Sequence, residues 1–227
     1  MRYSPDVYTN IFQSIILACC LAICARTLYM TKRKGWFLLG CFFATYLLGD
    51  IYWLGYILIR GTTPYIFYVA DISWIASYSF LVIVVRSFPE SRSKKYQSIF
   101  SYIWLVFSIV STIYFYTFGD IINTTVMDFV VSLAGLYAIN GMSNCRNKIK
   151  KENGDKTILG NYYMVYLVVL LITIMEYGLW FMSTFFDTLT FANPYYWFDI
   201  GLTITFGLMV LAYYSADEID KGESLSD

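Results

Sequence analysis

Five carboxylates interrupt long apolar stretches of the sequence: Asp50, Asp71, Asp128, Glu176 and Asp199. An ionisable group in hydrocarbon costs about 2.5–3.5 kcal/mol at a helix centre on insertion scales, so each marks a candidate functional position. Aromatic rings and hydroxyls recur around them. Tyr46 and Trp53 flank Asp50 at i−4 and i+3, and Trp74 and Tyr78 follow Asp71 at i+3 and i+7. Thr124 and Ser132 flank Asp128, Thr173 and Trp180 flank Glu176, and Tyr195 and Thr203 flank Asp199. Residues at these spacings share a helix face. The pattern predicts an acidic cavity in which carboxylates supply charge and Trp or Tyr faces supply cation–π attraction, a chemistry suited to a small cation. The five acids, with Trp53, Trp74, Tyr78 and Trp180, are the expected ligand-binding residues. The competing reading is structural: protonated acids hydrogen-bonded across helices to Tyr, Ser and Thr.

Other chemistries lack their residues. Histidine is absent, which removes His-ligated metal hydrolysis and the Ser-His-Asp triad. A light-sensing retinal protein needs a lysine in its last span, and Thr203 stands one turn after Asp199. No phosphate-binding loop, dinucleotide fingerprint or kinase motif is present. No metal or cofactor is expected, and no catalytic residue is assigned. The formal net charge is zero and no basic stretch suits nucleic acid. Cys19, Cys20, Cys24 and Cys41 fall in the first two apolar stretches and Cys145 in a basic loop, so free thiols used for packing are expected.

The elements that position the acids follow from composition. Hydrophobic residues make up 58% of the 227-residue chain, aromatic residues 20% and charged residues 14%, against about 25% charged in soluble domains. Seven apolar segments run near 7–30, 36–59, 65–86, 97–118, 121–143, 158–185 and 194–215. Each can cross a hydrocarbon core of about 30 Å. The expected fold is all-α, an integral membrane seven-helix bundle forming a single domain. Pro64 suits a helix start, Phe118-Gly119-Asp120 a tight turn, and Asn193 an N-cap before Pro194. No proline lies mid-span, which argues against helices broken at the midplane.

Fourteen basic residues cluster at one set of span ends, leaving Arg2 and Arg60 at the other. The positive-inside rule then places the N-terminus outside and the C-terminus in the cytoplasm. All five acids fall in the outer half, at depths of roughly 7–16 Å at 1.5 Å per residue. The inner half offers few polar groups. The 216–227 tail is expected to be short, acidic, cytoplasmic and disordered.

The stretch Leu47-Leu48-Gly49-Asp50-Ile51-Tyr52-Trp53, followed by Ala70-Asp71-Ile72-Ser73-Trp74, resembles the multi-span sensory module N-terminal to some bacterial histidine kinases and diguanylate cyclases. There a Gly-Asp in one span and an Ala-Asp opening the next recur with a similar gap. The resemblance covers about 45 residues of the 227. It implies a membrane sensor in which Asp50 and Asp71 are the matching positions. No kinase or cyclase domain follows, so output would pass to a separate signalling partner at the cytoplasmic face. Leu48-Gly49-Asp50 alone also resembles the lysoplasmalogenase family.

The resulting expectation is a multi-pass cell-membrane sensor that binds a small cationic ligand from outside, with the lipid bilayer as its other partner. Alternatives are a small proton- or cation-coupled transporter, and a polytopic lipid hydrolase using paired carboxylates.

Overall fold

The computed structural model describes residues 5–61, 69–93, 95–118, 121–186, 188 and 190–223, with backbone alone for 118, 121–124 and 218–223. Pro64 and the Gly119-Asp120 turn lie outside the described residues. Eight helices follow in order: α1 Pro5–Thr31, α2 Lys34–Arg60, α3 Val69–Ser87, α4 Pro89–Arg92, α5 Ile99–Phe118, α6 Ile121–Lys151, α7 Lys156–Phe185 and α8 Pro194–Glu223. Among the described residues there is no strand. All but α4 contain a stretch long and apolar enough to cross a bilayer, the architecture of a multi-pass membrane protein.

Helix ends follow local chemistry. Gly61 takes the left-handed conformation (φ 70°) at the end of α2 and returns its N–H to Ile57 O at 2.8 Å. Asp155 caps α7 by accepting from the N–H groups of Thr157 and Ile158. Asn193 Oδ1 accepts the Tyr195 N–H at 2.9 Å as α8 begins.

The helices close a ring in which α1, α2, α3, α6, α7 and α8 each lie beside the next and α8 returns to α1. By backbone approach, α5 lies beside α6 alone. Its outward side chains, among them Val106, Val110 and Ile113, are exposed and apolar, as a lipid-facing surface requires. Polar contacts hold it to α6. Trp104 donates to Ser132 O at 2.9 Å, and Ser101 to Asn140 Oδ1 at 2.6 Å. Such interhelical hydrogen bonds stabilise bundles where water is absent.

Three expectations are corrected. Span five does not end near 143: α6 continues to Lys151, so Arg146, Lys148, Lys150 and Lys151 belong to its last turns. Cys145 is therefore a fully buried helical residue, not a loop residue, and all five cysteines are free. The 216–227 tail is not disordered throughout, because α8 runs on to Glu223. Asp217 anchors that extension, accepting from Arg33 Nη1 at 2.5 Å and from Trp36 Nε1 at 3.0 Å.

The basic end also carries more buried polar structure than expected. Helix α4 is folded against α6, where buried Asn144 donates to Glu90 O, Ser93 O and Asn140 O and accepts the Tyr96 N–H. Glu90 is 3% exposed and accepts from Lys148 Nζ at 2.8 Å. Tyr166 packs over Gly141, where a Cβ would come within 2.4 Å of its ring, and its hydroxyl accepts from Ser91 N at 3.1 Å.

Candidate functional site

The acids occupy the end of the bundle opposite the basic helix termini, and the structure divides them. Asp50, Glu176 and Asp199 interact electrostatically, while Asp128 belongs to a separate hydrogen-bonded cluster.

The first cluster is built from α1, α2, α3, α7 and α8. Asp50 is 1% exposed; its Oδ1 accepts from Trp74 Nε1 at 3.2 Å, and its Oδ2 has no hydrogen-bond partner among the described residues. The approach of Trp74 depends on Gly49, because a Cβ there would lie 2.6 Å from the indole nitrogen. Trp53 packs beside Trp74 with ring centroids 5.6 Å apart. Tyr46, one turn before Asp50, packs against the rings of Trp74, Tyr78 and Phe206. Tyr78 in turn donates to Glu176 Oε2 at 2.7 Å. Trp180, one turn after Glu176, packs against the Tyr177 ring with centroids 5.1 Å apart.

Asp199 closes this cluster from α8. Gln13 Nε2 donates to its Oδ1 at 3.4 Å. Thr203 does not serve the carboxyl but donates to the Asp199 backbone carbonyl at 2.9 Å. Thr173 likewise donates to its own helix, at Leu170 O. Asp71 stands half-buried in the first turn of α3.

The second cluster joins α5, α6 and α7. Asp128 is fully buried and accepts from Ser111 at 2.8 Å, from Tyr177 at 2.6 Å and from Thr112. Ser132 shares a hydrogen bond with the Tyr177 hydroxyl at 2.5 Å. Three hydroxyl donors thus satisfy this acid inside the bundle. Thr124 lies outside the residues whose side chains are described. Consecutive positions of α7 serve the two clusters, with Glu176 meeting α3 and Tyr177 meeting α5 and α6. Successive helix residues point about 100° apart, so one helix forms the wall between them.

Sequence spacing found the acids and their aromatic neighbours on the same helix. It missed Gln13, Ser111, Thr112 and Tyr177, which come from other helices. Gln13 carried a usable signal as a glutamine in an apolar span. Ser and Thr carried little, since their hydroxyls commonly bond to the preceding turn of their own helix.

Among the described residues, no three acidic, cysteine or histidine side chains converge closely enough to ligate a metal ion. The first cluster instead offers an open carboxylate oxygen among tyrosine and tryptophan rings. The fold and site define a seven-helix membrane bundle with a buried acid–aromatic core. No protein-family model matches the chain, and neither the curated proteins nor the solved structures contain a match to it.

Proposed function

We propose that the protein is a cell-membrane receptor-like protein that holds a small protonated amine in the Asp50–Glu176–Asp199 cluster. The observation that carries this reading is Asp50 Oδ2, an unpartnered oxygen of a carboxyl that is 1% exposed. A buried polar atom left without a partner costs about 1–3 kcal/mol. A ligand ammonium would recover that cost and gain cation–π attraction from the adjoining rings. No lysine or arginine side chain hydrogen-bonds to Asp50, Glu176 or Asp199 among the described residues, so the counter-charge is left to the ligand.

In this reading the acid end faces outward and the basic end the cytoplasm, following the positive-inside bias. The ligand enters from outside, and output passes to a separate signalling protein at the cytoplasmic face. The resemblance to bacterial sensory modules supports this reading, because Gly49, Asp50 and Trp74 belong to the resembling stretch and meet one another.

The experiment is thermal stability of the purified protein in nanodiscs against a panel of primary to quaternary amines, beside Asp50→Asn. A binding amine at a hundred times its Kd raises stability by about 2.7 kcal/mol. The shift is expected to vanish in Asp50→Asn with the fold intact. An unchanged response in that variant would overturn the proposal.

A second reading, proton- or cation-coupled transport, draws on the Tyr78–Glu176 hydrogen bond buried beside Tyr46, a pair suited to passing a proton. It predicts proton or cation flux in proteoliposomes that Glu176→Gln abolishes; binding without flux favours the receptor.

A further inference from the structure

We propose that the groove between α5, α6 and α7 at the basic end is a binding site for one anionic phospholipid. This site is independent of the acid-end ligand and of which end faces the cytoplasm. It rests only on the chain spanning a bilayer.

The groove encloses about 800 Å³, within the 300–1,000 Å³ usual for small-molecule sites. It exists because α5 lies beside α6 alone and leaves a cleft toward α7. Its two ends differ in chemistry. Phe100, Ile103, Phe107, Leu170 and Ile174 line the deeper part. Arg146, Lys150, Asn147, Ser143, Gln97 and Ser98 line the part at the basic helix termini, and no acidic residue is among the lining. Along α7 the lining runs from Tyr163 to Ile174 without a charged residue, roughly 16 Å at 1.5 Å per residue. One leaflet of hydrocarbon is about 15 Å deep, half the thickness of the core. A groove of that length, apolar within and cationic at its mouth, matches an acyl chain carrying a negative headgroup.

The neighbouring cations show why Arg146 and Lys150 are the headgroup ligands. Lys148 is paired with Glu90, Lys95 with Glu152, and Lys151 lies over the Tyr96 ring. Arg146 and Lys150 are exposed, stand four residues apart on one helix face, and form no ion pair among the described residues. Basic pockets between membrane helices are a known way to bind anionic headgroups. Ser143, Asn147, Gln97 and Ser98 add neutral polar atoms to the lining.

The test is native mass spectrometry of the full chain after delipidation, titrated with dioleoylphosphatidylglycerol or dioleoylphosphatidylcholine. We expect one phosphatidylglycerol to bind at least tenfold more tightly than phosphatidylcholine. R146Q/K150Q should weaken it about thirtyfold, taking the two cation contacts together. R26Q/K34Q, which removes two exposed cations on α1 and α2, should leave it unchanged. Ile139→Trp fills the groove and should reduce occupancy with both cations in place. Inorganic phosphate alone should not bind, because the acyl chain supplies part of the affinity.

Equal binding of the two lipids would overturn the proposal, as would equal losses in the two charge variants, the mark of a diffuse surface effect. Phosphate binding as tightly as the lipid would replace it with a soluble-anion site. A dimer of the delipidated chain that phosphatidylglycerol does not dissociate would make the groove an interface between copies and also overturn it.

Discussion

The indole of Trp74 donates to Asp50 Oδ1 at 3.2 Å from the space that a side chain at Gly49 would occupy. Three residues on two helices are thereby coupled: glycine supplies the room, tryptophan the donor and aspartate the charge. Because the other carboxyl oxygen of Asp50 is unpartnered, this contact fixes the direction in which the acid presents its free atom.

Gly49→Ala should therefore damage both stability and the site. The added methyl would meet Trp74 Nε1 at 2.6 Å and Cδ1 at 2.8 Å, so the indole must move. Overpacking of this kind costs about 1–3 kcal/mol. Trp74→Phe separates the effects, keeping a ring but leaving Asp50 without its donor, at about 1–3 kcal/mol. Denaturation midpoints measure the first effect and amine-induced stabilisation the second, and both variants should lose the amine response.

Asp128 should behave differently from Asp50. It is enclosed by Ser111, Thr112 and Tyr177 and has no open oxygen to offer. Asp128→Asn turns one acceptor into a donor facing hydroxyl donors and should cost about 1–3 kcal/mol. Tyr177→Phe removes one of the three donors and should cost about 0.6 kcal/mol, the membrane average for such bonds. Both should retain amine binding. Loss of binding in Asp128→Asn at unchanged stability would make the two clusters a single site.

The seven spans and the acids inside them were legible because both are properties of one helix at a time. Hydropathy needs only a window, and the neighbours of Asp50 and Glu176 recur at three or four residues. The division into two clusters was not legible. It depends on α7 turning Glu176 toward α3 and Tyr177 toward α5 and α6, which is a fact about packing between helices. Hydropathy also placed the end of span five at the first polar residues, near 143. Helical hydrogen bonding does not stop where apolar residues stop, and α6 continues through Arg146 and Lys148 to Lys151. The same reason hid the anchored end of α8, whose acidic composition resembled a solvated tail.

That anchored end can be tested at Asp217. Its carboxylate accepts from Arg33 and from Trp36, and its side chain is 9% exposed. Hydrogen bonds to charged groups contribute about 1.5–3 kcal/mol where water is largely excluded. Asp217→Asn should lower stability by about 1–3 kcal/mol, since it also leaves the Arg33 charge without its partner. Truncation after Ser215 should cost at least as much. Unfolding curves with the melting temperature unchanged in both proteins would show that the end of α8 carries no load.

One side chain gathers three backbone groups of the connection around α4. Asn144 donates to the carbonyls of Glu90 at 3.1 Å and Ser93 at 2.9 Å, and accepts from the Tyr96 N–H at 3.2 Å. Asn144→Ala leaves those backbone groups unpaired, at about 1–3 kcal/mol in all if solvent reaches them on opening. Cleavage by trypsin after Arg92 and Lys95 should then rise at least about tenfold, because proteolysis follows the population of the opened segment. Asn147→Ala, which removes contacts only to Ser143 on the same helix, should leave the rate unchanged. A second hold on the segment is exposed: Glu152 accepts from Lys95 at 2.8 Å and from the Tyr96 hydroxyl at 2.6 Å. Lys95 first, then Tyr96, keeps that carboxyl below its usual range. A lowered carboxyl contributes above its unfolded value and loses that contribution only as pH falls through the folded one. Glu152 therefore stays ionised between about pH 5 and pH 8, and a difference in cleavage rate between the wild type and Asn144→Ala at one pH in that window belongs to Asn144. Equal rates in the wild type and Asn144→Ala would show that the other contacts, from Tyr166 to Ser91, Lys148 to Glu90 and Glu152 to Lys95 and Tyr96, suffice to keep the segment closed.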